Sequence, residues 1–159
     1  MHSFLRIGFT VVLLGAWSTG RAQSAVNSWP LAEQTAAANT PLTQERLARV
    51  ERVVRALAAL ARREPSYCNW VGNSVQSTSL VAEASVMAAH QGVRTALAAG
   101  PLTVREFVEV SFSLLMAGMT YEAHRSGIPA PAPKPSPANV AFYASNHARI
   151  DRVFALDPC

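Results

Sequence analysis

The sequence predicts an all-α fold: a four-helix, bundle-like single domain with an extended Pro-rich connector before the last helix. Three observations carry that reading. Apolar residues recur at 3-4-3-4 spacing over long stretches, Gly or Pro punctuates the end of each, and strand-type alternation is absent. Half of the 159 residues are hydrophobic and 15% are charged, which excludes a disordered chain and suffices for one core.

Residues 1–24 read as a cleaved secretory signal peptide. Arg6 precedes an eleven-residue apolar stretch at 7–17, and small residues then offer cleavage after Ala22 or Ser24. That stretch is short of the roughly 20 helical residues a bilayer crossing needs. No cysteine follows either cleavage point, which argues against a lipid-anchored form. Thirteen Arg against one Lys suits a GC-rich bacterial genome, so export means the periplasm or the medium. The formal charge of +4 shrinks once Arg6 and Arg21 are removed, leaving twelve basic against ten acidic residues. With no nucleic-acid motif beside it, that balance excludes a nucleic-acid binder.

Residues 25–42 offer only Trp29, Pro30 and Leu31 for packing and read as a loose N-terminal arm before a helical domain at 43–159. The first helix spans 43–63. Leu47, Val50, Val54, Leu57 and Ala61 form its apolar stripe, and Thr43 is its N-cap. Glu45 with Arg49 and Glu51 with Arg55 are i,i+4 pairs in the favourable order. Arg46, Arg49, Arg52, Arg55, Arg62 and Arg63 make its other side basic. A solvated face partly neutralised by its own glutamates accounts for them; the sharper reading is an anionic envelope surface, lipid headgroup or lipopolysaccharide phosphate.

Residues 64–74 read as a loop whose Tyr67 and Trp70 plug a bundle end. The second helix, 77–99, is rich in Ala and Ser and stops at Gly100-Pro101. The third, 104–125, opens on the capping box Thr103-Val104-Arg105-Glu106. It is apolar round most of its circumference, with a polar edge at Arg105, Glu109, Ser113, Thr120 and His124. Residues 128–137 are a polyproline II spacer that returns the chain across the bundle. The fourth helix, 138–155, starts from Ser136 and Pro137. Its expected core stripe is Val140, Tyr143, His147, Ile150 and Phe154, which puts His147 inside.

Cys68 and Cys159 are the only cysteines. In an exported chain an even count favours an internal disulfide, and so long a loop is worth about 4–5 kcal/mol in the chain-entropy account. A disulfide-linked dimer through Cys159, or two free thiols, are the alternatives.

Chemistry-bearing residues are sparse. His147 and Asp151 share a helix face, His90 lies on the second helix, and Met116 and Met119 with His124 could extend a soft metal site. No His-x-x-x-His or Glu-x-x-His spacing supports a metal site, and a lone His or Met on an apolar helix serves packing. The sequence therefore assigns no catalytic residue, no metal and no cofactor. It favours an exported, non-enzymatic module that binds a protein partner. The alternatives are a small-ligand or metal carrier using the bundle core, and a hydrolase with an unrecognised site.

Overall fold

The computed structural model describes residues 29–74, 77–156 and 159, with backbone alone at 72–74. The expected signal segment, 1–24, lies outside the described residues. Among these, seven helices occur, no strand occurs, and 75% of positions are helical. They are α1 (Leu31–Ala38), α2 (Gln44–Arg63), α3 (Ser66–Ser74), α4 (Leu80–Ala89), α5 (Gln91–Ala98), α6 (Val104–Ser126) and α7 (Pro137–Phe154).

Local signals fix α2, α6 and α7 where the sequence puts them. The Thr43 hydroxyl accepts from the Arg46 amide to start α2. The Thr103 hydroxyl accepts from the Glu106 amide while the Glu106 carboxylate accepts from the Thr103 amide, closing the capping box of α6. Those bonds hold the Glu106 carboxyl below its usual range. Gly127, at φ +65°, ends α6 in the left-handed conformation. Ser136 caps α7 with Pro137 in its first turn.

α6 is the hub, with α1, α4 and α7 all packed on it. Phe107, Val108, Phe112, Leu114, Met116 and Ala117 are buried around it. Ser113 meets Asn139, and Tyr121 meets Tyr143 and His147, so α7 runs in the same sense as α6. The Pro-rich connector makes that possible by returning the chain, with Pro133 and Pro135 buried. On the other side α5 lies antiparallel to α2: Gly92 abuts Leu60, and Gly100 abuts Arg49 and Val53.

Four expectations need correction. The arm at 25–42 is not loose over its described part. Trp29 is buried and stacks on Phe112 at 5.2 Å, and α1 lays Ala37 and Ala38 on α6. Small side chains there let two backbones approach closely, a contact that apolar counting undervalues. The loop at 64–74 is largely helix α3, because Tyr67 and Val71, one turn apart, are both buried. The helix at 77–99 is two helices, broken at His90, whose ψ of 117° is extended. The break lets α4 lie on α6 while α5 turns onto α2. At Gly92 a Cβ would stand 2.7 Å from Leu60 Cδ1, so a larger residue there would have to push the Leu60 side chain aside.

Finally, His147 is exposed, not in the core. The buried face of α7 is Asn139, Tyr143, Ile150, Val153 and Phe154. Asn139 is drawn inward by hydrogen bonds, which rotates the helix and leaves His147 at its edge beside the Tyr121 ring. The same bonds bury Ser113, and Thr120 is buried too, although both read as part of a polar edge.

Candidate functional site

The α2–α5 contact leaves a groove of about 1050 Å³ along one flank. Its floor is made of small side chains: Ala56 and Ala59 from α2, Gly92 and Ala96 from α5. Arg63, Glu64, Gln91 and Thr95 stand at its polar rim, and His90 closes the end nearest α3. Arg63 bonds back to the Ala59 carbonyl at 3.3 Å, which keeps its guanidinium over the groove side of α2.

His90 sits where α4 ends and α5 begins. Its ring lies 4.4 Å from Trp70 and 5.7 Å from Tyr67, ring centre to ring centre. Its Nδ1 is shut off from solvent and has no hydrogen-bond partner among the described residues. The two aromatics therefore plug this end of the molecule, as their loop position suggested, and they do so by clamping a histidine. Cys68, between them, is disulfide-bonded to Cys159 across 91 residues, with a Cα separation of 5.3 Å. The expected internal bond is thus present.

The other sequence candidates are dispersed. His124 is exposed in the last turn of α6. The His147 Nδ1 lies 2.9 Å from the Ala144 carbonyl, within its own helix. Asp151 accepts from the Tyr143 hydroxyl at 3.3 Å and does not engage His147. Burial, with Asp151 beside it, pushes the Tyr143 phenol far above its usual range. Met116 is buried in the core and Met119 packs at its margin. Among the described residues no three His, Cys, Asp or Glu side chains are grouped to hold a metal ion.

The basic face of α2 is partly committed to the fold. Arg46 bonds the Pro41 carbonyl, Arg49 pairs with Glu45, and Arg52 bonds the Ala99 carbonyl. The expected Glu51–Arg55 pair is replaced by one across helices. Both Glu51 oxygens accept from Arg149 of α7, at 2.7 and 2.6 Å. That fork is half-buried and holds the Glu51 carboxyl below its usual range. A bidentate contact of this kind outcompetes an exposed i,i+4 pair worth about 0.3–0.5 kcal/mol.

Glu83, which the sequence places on the second helix with no role singled out, is 5% exposed in the first turn of α4. Burial raises its carboxyl above the usual range, and Ser77 partly offsets this by hydrogen bonding. Sequence reasoning missed the groove, whose one sequence signal is Ala or Gly at turn spacing on two helices. Among the described residues no helix is long and apolar enough to cross a membrane. No known protein family, no curated protein and no solved structure matches this chain.

Proposed function

We propose that this protein is an exported, non-enzymatic helical module that holds a segment of a partner protein in the groove between α2 and α5. The groove carries the reading. Its floor of Ala and Gly admits a backbone at close range, and its rim of Arg63, Glu64, Gln91 and Thr95 offers both charge signs and amide chemistry. The charged start and short apolar stretch at 1–24 support export into a periplasm or medium, and the Cys68–Cys159 bond fits an oxidising compartment.

A photo-crosslinking residue at Thr95, in the groove, and another at Arg105, outside it, test the reading in the producing cell. Thr95 should capture one protein that Arg105 does not, and Ala59→Trp should abolish that capture. Native mass measurement of the purified protein supplies the opposing outcome. A stoichiometric metal or lipid, with no specific crosslink from Thr95, would replace the module by a small-ligand carrier.

A further inference from the structure

Charge is distributed unevenly over this molecule. α2 and α7 together hold eight arginines against Glu45, Glu51 and Asp151, whereas the remaining described residues hold four cations against six acids. α7 lies on the flank of α2 opposite the groove. Gln44 bonds Asn146 and Glu51 bonds Arg149, which also reaches back to Gln44, so the two helices cross with their chains advancing in the same sense.

Glu51, Arg55 and Arg62 share a face of α2, being four and seven residues apart, and Arg149 and Arg152 share the adjoining face of α7. The single acid at their centre is consumed by Arg149. Arg55, Arg62 and Arg152 are exposed and make no hydrogen bond or ion pair among the described residues. Asp151 is turned away, held by the Tyr143 hydroxyl on the α6 side. Of the exposed large apolar side chains, Leu31, Val81 and Ile128 belong to other elements, and Leu156 follows the end of α7, four residues after Arg152.

We propose that this two-helix strip, through Arg55, Arg62 and Arg152, docks the protein on an anionic lipid surface by contact with headgroup phosphates. Guanidinium groups match phosphate oxygens in pairs, and three of them stand in one strip without a salt-bridge partner, Arg55 and Arg152 sharing only the longer-range attraction of a Glu51 already forked by Arg149. Arg55 and Arg62 stand about 10 Å apart along α2 with Arg152 on the neighbouring helix, a spread that suits separate headgroups of a surface better than a single small anion. With Leu156 the one large apolar side chain exposed beside the strip, and no apolar face along α2, the association is chiefly electrostatic and does not insert a helix into the bilayer. Since α5 and the groove lie on the other flank of α2, the strip can engage lipid whether or not the groove is filled. This sharpens the anionic-surface reading of the sequence: Arg46, Arg49 and Arg52 drop out, and Arg152 of α7 enters.

Vesicle co-sedimentation of the disulfide-bonded protein decides it. Phosphatidylcholine vesicles containing phosphatidylglycerol should bind the protein in low salt and release it near 0.5 M salt, where screening shortens to a few ångströms. Phosphatidylcholine alone should not bind. The triple variant Arg55→Gln, Arg62→Gln, Arg152→Gln should lower partitioning by about 100-fold. The variant Arg105→Gln, Arg125→Gln, Lys134→Gln removes the same charge elsewhere and should change it by less than about threefold. Circular dichroism melting should show both variants folded. Equal loss in the two triple variants would reduce the effect to net charge and overturn the strip. Salt-resistant binding, or binding to a soluble acidic protein but not to the anionic vesicles, would overturn it as well.

Discussion

The two ends of α2 are finished by opposite means. At the N-terminal end, Asn139 of α7 enters the turn between α1 and α2. Its amide nitrogen donates to the Ala38 and Thr40 carbonyls and to the Ser113 hydroxyl, at 3.2, 2.9 and 2.8 Å, and its oxygen accepts from the Leu42 amide at 3.1 Å. Every polar atom of that side chain is engaged and the space is filled. At the C-terminal end a covalent bond, Cys68–Cys159, fastens the chain instead. There His90 keeps a buried nitrogen without a partner, and a groove stays open beside it. A knot of hydrogen bonds must be complete to stabilise anything, because a buried group left over costs as much as several made bonds return. A disulfide tolerates an imperfect neighbourhood, which is where binding surface can be kept.

The largest test removes the covalent fastening. Cys68→Ala with Cys159→Ala should cost about 4 kcal/mol in denaturant unfolding, with far-ultraviolet dichroism of the folded protein nearly unchanged. A loss under about 1 kcal/mol would mean that packing alone holds this end. Next comes the knot. Asn139→Ala strips the Leu42 amide of its partner and leaves the Ala38 and Thr40 carbonyls to the Ser113 hydroxyl alone, and should cost about 2–4 kcal/mol by the same measurement. Ser113→Ala, which removes one member, should cost less. If Asn139→Ala were neutral, the contrast between the ends would collapse.

Glu83 falls between the two cases, being partnered by Ser77 yet buried as an acid. Its unfolded carboxyl titrates near 4.5 and its folded one higher, so below that pH both states are protonated and nothing is lost. As pH rises past it, the unfolded state ionises first and stability falls until the folded carboxyl also ionises. Glu83→Gln should therefore flatten the decline in melting temperature between pH 4.5 and neutrality; an unchanged slope would contradict the burial argument. The smallest effect belongs to His90→Phe. It keeps the stack on Trp70 and removes the unpartnered nitrogen, so it should raise stability by about 0.5–1 kcal/mol. A clear loss would show that the imidazole makes a contact of its own.

How legible these features were depends on how far apart in sequence their causes lie. Thr43, Thr103, Glu106, Gly127, Ser136 and Pro137 act on their own turns, and the starts of α2, α6 and α7 follow from them. The break at His90 has no such local cause. It goes with the two halves packing on different helices, α4 on α6 and α5 on α2. Trp29 finds Phe112 only once α6 exists. On α7 two stripes share Tyr143, Ile150 and Phe154, and compete in that one adds Val140 and His147 and the other Asn139 and Val153. Hydrophobicity favours the first, and hydrogen bonding to Ala38 and Thr40 selects the second. The groove was illegible for the same reason, since it is a property of a helix pair.

The bond between Cys68 and Cys159 also gives the molecule a covalent topology. Everything from α4 to α7 lies inside a closed ring, while α1 and α2 form a tail outside it. A protease that cuts once between 69 and 158 opens the ring and releases nothing; the nicked protein migrates as one species until it is reduced. A cut at 39–43 severs α1 from the covalent framework, leaving it held by non-covalent contacts alone: Trp29 on Phe112, Ala37 and Ala38 on α6, the Ala38 carbonyl on Ser113 and Asn139, and the Glu33 carboxylate on the Leu80 amide. Damage to most of the chain is thus survivable in an environment rich in proteases, and damage to the tail is not.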